Sequence, residues 1–407
     1  MAKNNNTNIN LFFERFLKKE SKIFTQKNFL QPAYAPDTVP HREEQIKQIA
    51  EILAPALKLE KPSNLFLYGK TGSGKTLSTI HTTNQLYSIA SREKIPIIPI
   101  YINCKLKKVA DTEYRLVAQL IRALGKEVPS TGLPTDEIYK IFFNIMEQKE
   151  QMLLLVLDEI DQLVKKAGDG ILYNLTRMNT ELNKSQISII GISNDLLFTD
   201  NLDPRIKSSL SEEEIFFPSY NALQLQDILR ERAKKAFKQG AIEAGVIEKC
   251  AAYAAGEHGD ARRAVELLRV AGEIAERKDE ASLKIEHIDE AQDKIDHDRI
   301  IDIVKTQPKQ FQLSLYSIVS VCLNRKDLVF TGEVYDLYKK LCSRIGLRPL
   351  TQRRMSDIIA ELDMLGVIST KVISKGRYGR TREISLSIPP TTQPKIKKIL
   401  EEELELA

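Results

Sequence analysis

The chain has 407 residues, 42% hydrophobic and 28% charged, with a formal net charge of +5. That balance suits an ordinary soluble globular protein of two or three domains, and the chain shows no internal repeats or low-complexity tracts. No apolar run reaches the roughly 18 residues of a membrane span, the Met1-Ala-Lys-Asn-Asn-Asn-Thr-Asn8 start lacks a secretory core, and Cys104, Cys250, Cys322 and Cys342 form no CxxC pair. A cytoplasmic protein with reduced thiols, no membrane partner and no structural zinc is expected.

Residues 1–20 read as a flexible tail, in which Phe12-Phe-Glu-Arg-Phe16 could pack on the body. Residues 43–57 have helical apolar spacing. Short apolar strands are expected at 64–68, 97–102, 152–157, 187–192 and 214–217, with helices between most of them, which indicates a parallel sheet covered on both faces. From about residue 220 the strands stop, and 221–237, 241–255, 260–277 and 286–296 read as amphipathic helices. Helices at 309–323, 332–345 and 351–365 then precede strands at 367–373 and 381–387. The expected division is an α/β base over 21–219, a helical domain over 220–300 and a helix–helix–helix–hairpin domain over 301–407.

Asn64-Leu-Phe-Leu-Tyr68 runs into Gly69-Lys-Thr-Gly-Ser-Gly-Lys-Thr76 and a helix-like segment. This is the GxxxxGK[ST] phosphate loop in its strand–loop–helix setting. Gly69, Gly72 and Gly74, with Lys70, Thr71 and Ser73 between them, let successive N–H groups turn toward phosphate oxygens. Lys75 can reach the β/γ-phosphates, and the Thr76 hydroxyl can ligate Mg²⁺. ATP or ADP with Mg²⁺ is the expected cofactor pair.

The buried run Leu153-Leu-Leu-Val-Leu157 delivers Asp158 and Glu159 at its tip. Asp158 is expected to hold the metal and Glu159 to polarise the attacking water, unless the pair is only a solvated acidic turn. Asn194 ends another buried strand, where it could contact the γ-phosphate or cap the next segment. Arg205, before the last strand, and Arg262, opening a helix, are cations suited to phosphoryl charge or else surface salt-bridge partners.

Together these residues resemble AAA+ ATPases. Val39-Pro-His-Arg-Glu43, Leu202-Asp-Pro-Arg-Ile-Lys-Ser-Ser-Leu210 and Gly256-Glu-His-Gly-Asp-Ala-Arg-Arg-Ala264 resemble the archaeal Orc/Cdc-type replication initiators, over about residues 30–400. The resemblance implies an α/β AAA+ base, a helical lid and a winged-helix domain. It implies that Val39, Pro40 and Arg42 lie against the adenine and ribose, with Tyr220 and Arg232 in the nucleotide set. Asn194 and Arg262 would be the two sensors. Arg205 would be a finger acting on a neighbouring subunit, with Lys207 as the alternative.

At the C-terminus, Thr351-Gln-Arg-Arg354 opens a helix whose apolar positions Ile358, Ile359, Leu362 and Leu365 leave Gln352 and Arg353 on other faces, as a major-groove helix requires. The turn Lys375-Gly-Arg-Tyr-Gly-Arg380 offers Lys375, Arg377, Tyr378 and Arg380 to phosphates and a narrow minor groove. Residues 351–382 hold seven Lys/Arg against three Asp/Glu, +4 in a chain of +5. A protein-contact winged helix with a merely solvated turn is the competing reading. The loop 126–136 reads by itself as an ordinary connection capped at Thr135 or Asp136; the resemblance implies that Ser130, Thr131 and Gly132 contact the DNA backbone.

The resemblance implies a weak ATPase with hydrolysis as a switch. It would bind and distort double-stranded origin DNA, meet other initiator subunits and help recruit the replicative helicase. It would be a monomer in solution that assembles on DNA, within the nucleoid. The alternatives are a STAND-type signalling ATPase and a clamp-loader-like or transposition-type ATPase.

Overall fold

The computed structural model describes residues 20–406 apart from 33, 37, 106–109, 130, 131, 211, 325–328, 375–379 and 389–391, and apart from the side chains of 299, 324, 374 and 380. The chain divides into two units at Ile288/Asp289. The helix Ile285–Thr306 crosses that division and is longer than the 286–296 expected.

In the first unit, β1 (Asn64–Gly69) and β3 (Gln151–Asp158) are buried along their whole lengths. With β2 (Ile97–Asn103), β4 (Ser185–Ser193) and β5 (Glu212–Phe217) they form a parallel sheet in the order β2-β3-β4-β1-β5. Alternate residues enter opposite cores. Phe66 and Tyr68 join one with Leu153, Leu155 and Phe142, while Leu65 and Leu67 join the other with Ile49, Leu154 and Ile190. Continuous apolar strands fit because both faces are covered. The expected 43–57 helix breaks at Pro55 into an α-helix, Glu43–Leu53, and a 3₁₀ turn, Ala54–Lys58.

The helices Ala222–Ala236, Val246–Gly256 and Ala261–Arg277 follow the sheet. The first has a capping box built by Asn221 and Gln224. Residues 241–245 are not helical: Leu283 N–H donates to Ala241 O at 2.7 Å and Glu243 N–H to Leu283 O at 3.0 Å. The stretch from residue 20 onward also packs here, which periodicity did not anticipate. Phe24 lies against Phe237 with ring centroids 4.8 Å apart, and Lys238 N–H donates to Ile23 O at 2.8 Å. Residues 1–19, with Phe12–Phe16, lie outside the described residues.

The second unit carries the helices Lys309–Asn324, Thr331–Arg344 and Gln352–Met364, then β7 (Ile368–Ser374) and β8 (Arg380–Leu386). Two elements were not foreseen: β6 (Val329–Phe330), which completes the sheet order β6-β8-β7, and a helix, Gln393–Glu403. Leu313, Val319, Tyr338, Ile359, Leu362, Ile384 and Ile396 share its core. No helix among the described residues is long and apolar enough to cross a membrane.

Candidate nucleotide site and nucleic-acid interface

Parallel strands place their C-terminal ends on one edge, and the sheet order decides what meets there. β4 lies between β1 and β3, so Asn194, one residue beyond β4, stands between the glycine loop and the acidic pair. Lys75 Nζ donates to Asn194 Oδ1 at 2.9 Å and to the carbonyls of Gly69 (2.8 Å) and Lys70 (2.9 Å). Thr76 Oγ1 donates to Asp158 Oδ2 at 3.0 Å. Glu159 holds a left-handed backbone (φ 54°) and an ion pair with Lys105 at 3.5 Å. A cleft of about 400 Å³ is lined by Thr71 to Thr76, Val39, Pro40, Asp158, Glu159, Asn194, Tyr220, Arg232 and Arg262.

The loop is bound by elements on both sides. Gly72 has φ +71°, and a Cβ there would lie 1.7 Å from Asp260 Oδ1; Gly74 has φ +93°, and its Cβ would meet the Tyr220 hydroxyl at 2.7 Å. Both positions therefore require glycine on conformational and steric grounds. Asp260 caps the helix Ala261–Arg277 by accepting from Arg262 N–H at 2.8 Å and Arg263 N–H at 3.3 Å. From that helix, Ala261 N–H donates to Gly72 O at 3.3 Å. The helix that supplies Arg262 is thus hydrogen-bonded to the phosphate loop itself.

Arg42 departs from the expected adenine contact. It is 2% exposed and does not line the cleft. Its guanidinium donates to Ser73 O (2.8 Å), His41 O (2.8 Å) and Pro218 O (2.6 Å) and lies 3.8 Å from the Tyr220 ring centroid. A planar donor with five N–H groups suits three carbonyls converging from three segments. Arg42 braces the loop from behind. Arg232 does line the cleft; it donates to Phe29 O at 2.9 Å and stacks on Tyr34 at 4.5 Å.

Arg205 and Lys207 lie away from this cleft. Arg205 pairs with Asp203 at 3.1 Å and its side chain is 86% exposed; Lys207 pairs with Asp200 at 2.9 Å.

Burial lowers the Lys75 ammonium to about pKa 8, with Asp158 opposing the shift and Arg262 adding to it. A cation removed from water in this way gains from an anionic ligand. Burial and the bond to Asp158 push the Tyr101 phenol well above its usual range, so it stays a donor; its hydroxyl reaches Asp158 Oδ2 at 2.7 Å. Tyr101, Lys105 and Asp260 were missed as site residues. Only Asp260 had a sequence signal, the Gly259-Asp-Ala-Arg262 run.

These residues fit a nucleotide and a hard cation. The glycine loop leaves space that a Cβ would fill, and Thr76 and Asp158 form an oxygen donor set of the kind Mg²⁺ prefers.

In the second unit, Thr351 caps the helix Gln352–Met364 by accepting from Arg354 N–H at 3.3 Å. Met355, Ile358, Ile359 and Leu362 are buried, while Gln352, Arg353 and Arg354 are exposed. Arg354 is shared with Asp357 (3.7 Å) and Glu361 (3.6 Å) on its own helix. Lys375, Arg377 and Tyr378 lie outside the described residues; Arg380 opens β8. Ser130 and Thr131 are also outside them, and Gly132 has φ +112° with open space around it. The expected cap at Thr135 or Asp136 is not formed: the helix Thr135–Met146 starts after Pro134 with no side-chain cap bond.

Comparison with known proteins matches this geometry along the chain. Family models for an AAA domain, a Cdc6 AAA+ ATPase-type lid domain and a CDC6 C-terminal winged-helix domain match residues 59–196, 226–293 and 302–393. The ORC1-type DNA replication protein of Pyrococcus abyssi is 51% identical over 96% of this chain and 93% of its own length. ORC1-type DNA replication protein 1 of Archaeoglobus fulgidus is 50% identical over 94% and 92%. The Aeropyrum pernix ORC1 protein, solved in complex with DNA, superposes with a TM-score of 0.82 at 45% identity, covering 95% of this chain and 98% of that one. With an AAA+ base, a helical lid and a C-terminal winged helix in this order, the chain belongs to the family of ORC1-type DNA replication proteins.

Proposed function

We propose that this chain is an ATP-switched initiator that binds double-stranded origin DNA, distorts it and helps recruit the replicative helicase. The observation carrying the switch is the bond from Ala261 N–H to Gly72 O, with Asp260 against the same glycine. A loop that grips phosphates and a lid that grips the loop cannot move independently, so nucleotide state and lid position are coupled. Arg262 lines the cleft and bears electrostatically on Lys75, which suits a report on the γ-phosphate.

The chemistry assigned to the site is slow phosphoryl transfer to water. Lys75 and Arg262 face the charge that develops on the transferring group. Glu159 orients the attacking water and takes its proton. Asn194 aligns that water while fixing the Lys75 ammonium. Thr76 and Asp158 would hold Mg²⁺, which when bound neutralises phosphate charge. Arg205, exposed and outside its own cleft, is assigned to a neighbouring subunit's nucleotide. The chain is then a monomer that gains such neighbours on DNA, in the nucleoid of the cytoplasm.

DNA contact is assigned to Gln352, Arg353 and Arg354, to Lys375, Arg377, Tyr378 and Arg380, and to Ser130, Thr131 and Gly132. The reading is supported by the exposed N-terminus of the Gln352–Met364 helix and by the similarity to a protein solved with DNA.

Protein purified without added nucleotide and then denatured is expected to release ADP at close to one per chain, because loop and lid enclose the ligand. Recovery of nucleotide-free protein contradicts the enclosing lid.

A further inference from the structure

We propose that Tyr101 is a positioning residue for the metal-holding carboxylate, fixing the rotation of Asp158 so that it meets the cation already aligned with the Thr76 hydroxyl. The inference rests on the reading of Thr76 and Asp158 as the Mg²⁺ site. In the register of β2 on β3, Tyr101 lies opposite Val156 and Asn103 opposite Asp158. The phenol spans that two-residue offset, and its hydroxyl donates to Asp158 Oδ2 at 2.7 Å. The same oxygen accepts from Thr76 at 3.0 Å, and Oδ1 accepts from Glu159 N–H at 3.0 Å. Donors from a β2 side chain, the phosphate-loop helix and the acidic turn hold the carboxylate in one rotation.

The terminal torsion of an aspartate is broad, so a carboxylate held by fewer donors samples orientations that a cation cannot use. Tyr101 is 44% exposed and lines the cleft. Its ring therefore adds little to the core, and removing the hydroxyl alone leaves the strand intact. Groups that orient a metal-holding side chain change metal affinity by about 10–100-fold when removed. Thr76 and the Glu159 amide still hold Asp158, so the low end, about tenfold, is expected here.

The test measures fluorescent ADP binding to the full chain, first in EDTA and then across a Mg²⁺ titration. It compares wild type, Tyr101→Phe, Asp158→Asn and the double variant. Tyr101→Phe should raise the Mg²⁺ midpoint about tenfold, well beyond any change in EDTA. In the Asp158→Asn background the same change should do nothing further, because no carboxylate remains to orient. An unchanged midpoint in Tyr101→Phe overturns the proposal. So does an equal loss in EDTA, or an additive effect in the double variant. Wild-type binding indifferent to Mg²⁺ instead contradicts the metal site itself, so the two failures are distinguishable.

Discussion

Replacing Arg42 by Ala tests whether this residue braces the phosphate loop or touches the nucleotide base. The side chain is 2% exposed and donates to the carbonyls of Ser73, His41 and Pro218. Each bond from a charged donor contributes about 1.5–3 kcal/mol, and a buried acceptor left alone costs about 1–3 kcal/mol. Water entering the vacated space recovers part of that, so the loss should be about 3–5 kcal/mol, the usual cost of breaking a buried polar cluster. At about 2–3 °C per kcal/mol for a unit of this size, the midpoint of the 20–288 transition should fall by about 6–15 °C. Far-UV circular dichroism without nucleotide measures it, since the chain has no tryptophan. Arg42→Lys should recover little, because an ammonium cannot serve three divergent carbonyls or stack on Tyr220. If Arg42→Ala unfolds within about 1 kcal/mol of wild type while ATP-over-GTP selection changes, the side chain contacts the base and the bracing account is wrong.

The same site gives further expected outcomes. Lys75, lowered to about pKa 8 by burial, is raised again by phosphate oxygens, so ADP binding takes up a proton where the free protein has lost one. Affinity should be flat below about pH 8 and fall above it, approaching tenfold per pH unit. Lys75→Ala should weaken binding and abolish that slope; a flat wild-type profile from pH 7 to about 9.5 contradicts the assignment. The sign for stability is opposite: between about 8 and the ordinary 10.5 the unfolded chain holds the extra proton, so this group's penalty is relieved as pH rises. Gly72→Ala forces a left-handed alanine, a strain of about 1–2 kcal/mol on the loop, and should quicken ADP release as the lid shifts to relieve it. The contact with Asp260 adds to it. Stopped-flow displacement showing wild-type release would remove the lid–loop coupling.

The sheet and its acidic and amide tips were legible because a fully buried parallel strand is written as a continuous apolar run. Leu153 to Leu157 and Ile187 to Ile192 could be little else once a glycine loop preceded them. Phosphate chemistry also restricts residue types, which is why Lys75, Thr76, Asp158 and Asn194 were singled out, and they do meet at one sheet edge. Arg42 was misplaced because its partners are backbone carbonyls, which leave no mark on the sequence. Tyr101 was invisible for a different reason: its bond depends on the register of β2 on β3, a non-local quantity. The docking of Phe24 on Phe237 joins segments far apart in the chain and carries no periodic signal. The helix Gln393–Glu403 could have been found, since Pro394 starts it and Ile396 and Leu400 have helical spacing.

In the proposed function a nucleotide-switched base and a winged helix together read an origin. Footprinting of the full chain on its host's origin region, against random duplex at one stated salt concentration, tests it most directly. A sequence-specific footprint is expected, lost in Arg377→Ala with Arg380→Ala, with the salt slope reduced by about 2 if each contacts one phosphate. Equal protection of origin and random DNA, or no protection of either, would contradict it.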